Sequence, residues 1–137
     1  MFRILVVDDE AAILGLLKTL LEPASFQVDT ATSAAEAKAH LQEKAFDIIL
    51  TDMRMETPLA GYDVVRAARQ VRPRPAIAIL TAFPISRSEW LPSGADALFV
   101  KGLDLISLPD KLRALVDQRA QSGVLPESSL KRSTQSQ

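Results

Sequence analysis

Five short aliphatic runs, RILVV, FQVDTA, DIILT, AIAIL and ALFV, alternate along this chain with stretches whose apolar residues recur at spacings of three and four. That alternation constrains the fold more than any other feature. The intervening stretches AAILGLLKTLLE, SAAEAKAHLQEKA, GYDVVRAARQV and SLPDKLRALVDQRA have the period of helices burying one face. Strands alternating with helices close into a parallel sheet covered on both sides, with right-handed crossovers. RILVV, DIILT and AIAIL are almost continuously apolar, as strands buried on both faces must be, whereas the mixed FQVDTA suits an edge. Ser33 with Glu36 has the spacing of a capping box, and Ser107 with Pro109 resembles a helix start. The segment ISRSEWLPSGA should hold a fourth helix, kept short or irregular by Pro92 and Gly94. At 137 residues and 47% hydrophobic, the chain is long enough for one doubly wound α/β domain with a real core. The expected division is a domain over 1–120 and a mostly disordered tail over 121–137, where the sequence turns to Ser, Gln, Pro and Gly.

Composition narrows the chemistry. There is no cysteine and one histidine, so thiolate nucleophiles, disulfides and multi-histidine zinc sites are excluded. A net charge of −1 leaves no basic footprint for nucleic acid. Neither a signal pattern nor a membrane-length apolar stretch is present, and a cytoplasmic location is expected.

Ligands in open parallel sheets bind beyond the carboxyl ends of the strands. The first aliphatic run ends in Asp8, Asp9 and Glu10, the third in Thr51 and Asp52, the fourth in Thr81 and the fifth in Lys101. Each residue alone has a plain reading: Asp8 or Asp9 as a helix cap, Asp52 as a turn residue, Thr81 as a strand former, Lys101 as a solvated cation. Together they are harder to dismiss. Two carboxylates about 4 Å apart repel by roughly 4 kcal/mol at an effective dielectric of 20, so a cation must offset them. Oxygen ligands alone select a hard ion, and Mg²⁺ takes one or two carboxylates while leaving positions for phosphate oxygens. A hydroxyl and an amine on the same rim suit those oxygens, which makes this a phosphoryl site. No glycine loop is present to cradle a nucleotide. The alternative is an aspartate nucleophile, for which Asp52 is the best candidate, with Asp8 and Asp9 holding the metal.

The ordered strand-end motifs VVDDE, TDM, TA and VK resemble those of response regulator receiver domains of two-component systems, over about residues 3–118. The resemblance implies a flavodoxin-like sheet of order 2-1-3-4-5. It further implies that Asp52 accepts a phosphoryl group from a phosphohistidine on a sensor histidine kinase or histidine phosphotransfer protein. Asp9 would bind Mg²⁺ directly, Asp8 through water, and Asp52 and the backbone carbonyl of Arg54 would complete the protein ligands. Thr81 would bond a phosphoryl oxygen and Lys101 would pair with phosphorylated Asp52. Such a chain is a phosphoacceptor regulator, not an enzyme with its own substrate. A downstream protein would read the face built by the fourth helix, fifth strand and fifth helix.

Several positions depart from the family pattern. The aromatic common three residues before the lysine is Leu98, with Phe99 one residue late and, by alternation, on the opposite side. The usual lysine-proline pair is Lys101-Gly102, the interval from Thr81 to Lys101 is about two residues short, and Glu56 follows Met55 where proline is usual. Arg54 and Phe83, two residues beyond Asp52 and Thr81, should flank the path of a water attacking an acyl phosphate. His40 is expected to be solvated, Trp90 to be core, and the Lys131-Arg132 pair to be solvated charge. The expectation is a receiver that works by docking, either stand-alone or cut from an output domain. Its rivals are an interaction module that ignores phosphate and, less favoured, an aspartate-nucleophile phosphatase, a class that usually carries D-x-D.

Overall fold

The structure, a computed structural model, describes residues 1–121; of the expected tail only Gln121 is among them, as the last residue of a helix, and the rest, with the Lys131-Arg132 pair, lies outside. Strands β1 (Phe2–Val7), β2 (Phe26–Ala31), β3 (Ile48–Thr51), β4 (Ala76–Thr81) and β5 (Ala97–Val100) form one parallel sheet of order β2-β1-β3-β4-β5. Helices α1 (Ala11–Leu21), α2 (Ala34–Glu43), α3 (Ala60–Gln70), α4 (Arg87–Trp90) and α5 (Leu108–Gln121) alternate with the strands.

Strand alternation divides the core into two layers. Leu5, Val7, Ile49, Ile77 and Ile79 face α2 and α3, packing against Ala37, Leu41, Val64, Val65, Ala68 and Trp90. Ile4, Val6, Ile48, Leu50, Ala78 and Leu80 pack with Leu14, Leu17 and Leu21 of α1 and Leu108 and Leu112 of α5. Each strand residue thus serves one layer, which explains why the central runs are almost wholly apolar up to the polar residues at their ends. The mixed FQVDTA does form an edge strand. Leu98 packs with the first layer and Phe99 with the second, as alternation requires.

Local signals set most boundaries. Ser33 accepts the Glu36 amide at 3.1 Å, but Glu36 reaches back to the amide and hydroxyl of Thr32, one residue earlier than a standard capping box. The fourth helix is one turn long, followed by a 3₁₀ turn over Leu91–Ser93 that contains Pro92 and stops at Gly94 with φ +94°. Glu89 closes its first turn by accepting from the Ser86 amide and hydroxyl. Trp90 is buried, as expected. His40 departs from expectation: it is half-buried, and its Nδ1 is shielded without a hydrogen-bond partner among the described residues. Sequence period alone does not say how far a flanking position of α2 sinks between its neighbours.

Candidate functional site

Three of the residues singled out in the sequence stand one position past a strand, and one further ladder bond fixes each. The Asp8 amide donates to the Ala31 carbonyl at 3.0 Å, that of Asp52 to Val7 at 2.8 Å, and that of Lys101 to Thr81 at 2.8 Å. Asp8, Asp52 and Lys101 also continue the alternation of Ile4–Val6, Ile48–Leu50 and Ala97–Phe99, so all three side chains fall toward the α1 and α5 side.

Asp8, Asp9 and Asp52 each present a carboxylate oxygen within 4.8 Å of the others. Asp8 and Asp52 are buried, at 1% and 8% exposure, while Asp9 is exposed. The Lys101 ammonium lies 2.8 Å from Asp8 Oδ2, 3.3 Å from Asp52 Oδ2 and 3.8 Å from Glu10 Oε1. It already supplies one of the positive charges that the clustered acids demand. Asp8 Oδ1 accepts the Glu10 amide at 2.9 Å, so Asp8 closes a turn, while the helix cap position falls to Glu10, which makes no side-chain cap.

Asp52 is held from both sides. Oδ1 accepts the Met53 amide at 2.8 Å and Oδ2 faces Lys101. Burial, reinforced by the charge of Asp8, raises its pKa against the opposing pull of Lys101 and the Met53 amide. Burial disfavours the Lys101 ammonium, but its hydrogen bond to Asp8 and the charges of Asp52 and Asp8 outweigh it and raise that pKa too. Thr81, buried at the end of β4, accepts the Phe83 amide on its hydroxyl at 3.2 Å.

The loop after β3 is tied down at two points that the sequence did not announce. The Gly61 amide donates to the Met53 carbonyl at 2.8 Å, and a Cβ at Gly61 would lie 2.4 Å from the Asp52 carbonyl oxygen. Glu56 accepts the Ala34 amide at 2.9 Å, so a carboxylate of this loop caps α2. Arg54 and Phe83 meet, the guanidinium 5.9 Å from the ring centroid. Phe83 remains 63% exposed. Lys101-Gly102 is not a cis bond, and Gly102 takes φ +88°.

A hard, oxygen-only ligand set around a buried carboxylate, with a lysine and a hydroxyl at the ends of neighbouring parallel strands, is the chemistry of phosphoryl acceptance. Comparison with known proteins points the same way. The model of the response regulator receiver domain matches residues 4–113. The transcriptional regulatory protein ZraR of Salmonella typhimurium is 34% identical over 129 residues, covering 92% of this chain and 29% of that protein. The chain thus spans under a third of that curated relative. A CheY-like receiver domain protein from Methanospirillum hungatei superposes with a TM-score of 0.79 at 28% identity, covering 90% of this chain and 99% of the other. Response regulator protein TrrA from Thermotoga maritima, solved in complex with Mg(2+)-BeF, superposes with a TM-score of 0.74 at 33% identity, covering 84% and 99%. By sheet order, strand-end residues and the extent of these matches, the chain belongs to the response regulator receiver domains of two-component systems.

Proposed function

We propose that this receiver, carried by residues 1–120, is a phosphorylation-dependent switch in which Asp52 accepts a phosphoryl group from the phosphohistidine of a sensor kinase or phosphotransfer protein. The observation that carries the reading is the arrangement of Asp52 itself. It is buried and oriented by the Met53 amide, and it shares Lys101 with Asp8 at the mouth of an acidic pocket. In the transfer, a carboxylate oxygen of Asp52 attacks phosphorus in line with the P–N bond. The imidazole nitrogen departs with the bonding pair and is protonated. Lys101 is close enough to follow charge onto the phosphoryl oxygens, and the Thr81 hydroxyl, which accepts from the Phe83 amide, keeps its own proton to donate.

The three carboxylates fit Mg²⁺, the ion present with the Thermotoga relative. Exposed Asp9, Asp52 and the Arg54 carbonyl would hold it directly. Asp8, more deeply buried than Asp9 and in the shorter contact with Lys101, would act through water. When bound, the ion neutralises charge on the transferring group. Movement of Thr81 and Lys101 toward the phosphoryl group would shift the packing of α4, β5 and α5, the face a downstream protein reads in the cytoplasm.

Mass spectrometry after incubation with a small phosphodonor and Mg²⁺ tests the proposal. One phosphoryl adduct is expected on the wild type, absent from Asp52→Asn and suppressed by chelator. An adduct that survives Asp52→Asn would overturn the assignment. Partner binding indifferent to both phosphorylation and Asp52→Asn would instead favour an interaction module that keeps the fold and ignores phosphate.

A further inference from the structure

Lys101 enters the acidic pocket from the turn after β5, a turn in which Leu105 packs against the core while other apolar side chains stand in solvent. Leu103 and Ile106 are 80% and 94% exposed, and a Cβ at Gly102 would meet nothing within 4 Å. Its anchor is Asp104. The Asp104 amide donates to the Val100 carbonyl at 3.0 Å, while Asp104 Oδ2 accepts the Val100 amide at 2.6 Å. The other carboxylate oxygen pairs with Lys111 of α5. Val100 is therefore tied to Asp104 through both its N–H and its C=O. Because β5 is an edge strand and the neighbouring Lys101 amide already points to β4, the Val100 N–H has no strand to bond on its outer side. These bonds hold Asp104 below the usual carboxylate range, chiefly through Lys111 and the Val100 amide.

We propose that Asp104 is a positioning residue for Lys101: by locking Val100 from both sides it holds the ammonium against Asp8 and Asp52, and so sets how strongly the pocket takes a divalent cation. The proposal rests on the reading of the pocket as a Mg²⁺ and phosphoryl site. An ammonium 2.8 Å from Asp8 and 3.3 Å from Asp52 competes for the same oxygens that would face the metal. Once the turn loosens, Lys101 spends time in solvent and the competition weakens.

Mg²⁺ alone, titrated into the full chain and followed by amide NMR shifts, reads this directly. Lys101→Ala should tighten Mg²⁺ about tenfold, and Asp104→Ala about threefold. Asp104→Asn, which keeps an oxygen for the Val100 amide, should stay within about twofold of the wild type. The double variant should bind no more tightly than Lys101→Ala, since residues acting through one another are not additive. Without metal, the Val100 amide proton should lie far downfield in the wild type and Asp104→Asn, and move upfield in Asp104→Ala. The proposal is overturned if Asp104→Ala keeps wild-type affinity while Lys101→Ala tightens, or if Asp104→Ala adds a further change in the Lys101→Ala background. If the wild type takes no Mg²⁺, the pocket reading fails. The role of Asp104 is then decided by the Lys101 side-chain ammonium signals, which must shift in Asp104→Ala and not in Asp104→Asn.

Discussion

Burial and the neighbouring Asp8 carboxylate raise the pKa of Asp52 in the folded protein, so the folded chain binds that proton more tightly than the unfolded chain does. The resulting cost to stability is absent below the unfolded value, near 3.9, and grows as pH rises through the folded pKa. Asp52→Asn removes it. In metal-free buffer at pH 7 the variant should melt a few degrees above the wild type. The advantage should vanish as pH falls toward 3, which thermal melts across pH in chelator will check. Arg54 and Phe83 make a second case at this scale. They touch each other two residues beyond Asp52 and Thr81, and if that pair screens an acyl phosphate on Asp52 from water, the phosphorylated form should decay several-fold faster in Arg54→Ala or Phe83→Ala. Unchanged decay in both variants, measured by loss of the phosphoryl mass, would end the shielding idea.

Helix α3 sits on the loop that carries the site, and Gly61 makes that approach possible. A side chain there meets the Asp52 carbonyl oxygen and the Met53 Cα, both backbone and unable to rotate away. Gly61→Ala should therefore destabilise by about 1–3 kcal/mol, as overpacking does, with a lower denaturant midpoint and unchanged slope. Because the clash falls on Asp52 itself, phosphoryl acceptance should drop in the same variant. The stunted α4 follows from Pro92 and Gly94, which stop the helix and turn the chain into β5. On β5, Leu98 occupies the layer that Thr81 continues, while Phe99 lies beneath α5 with Lys111 near its ring. The aromatic of this strand therefore cannot follow Thr81 inward. Leu98 is the β5 side chain that shares the layer of Thr81.

Across the whole molecule, what was legible in the sequence is what repeats locally. Apolar period and alternation marked five strands and the helices between them, and parallel pairing then carried Asp8, Asp52, Thr81 and Lys101 to one rim. Asp9 followed as the neighbour of Asp8, and Trp90 as a large apolar ring beside a helix stop. The partners of these side chains were not legible. Lys101 reaches both buried acids and lies nearer Asp8 than Asp52, a choice that depends on rotamer and loop position and not on any period. Glu56 capping α2 across 22 residues, Asp104 closing the turn around Val100, and the half-buried His40 leave no local mark either. The sequence by itself determined the fold class and the rim on which the chemistry stands, since periodicity is a property of neighbouring residues. Only the tertiary structure decided which acid holds the lysine and which carboxylates brace the loops, since those contacts join segments distant in the chain.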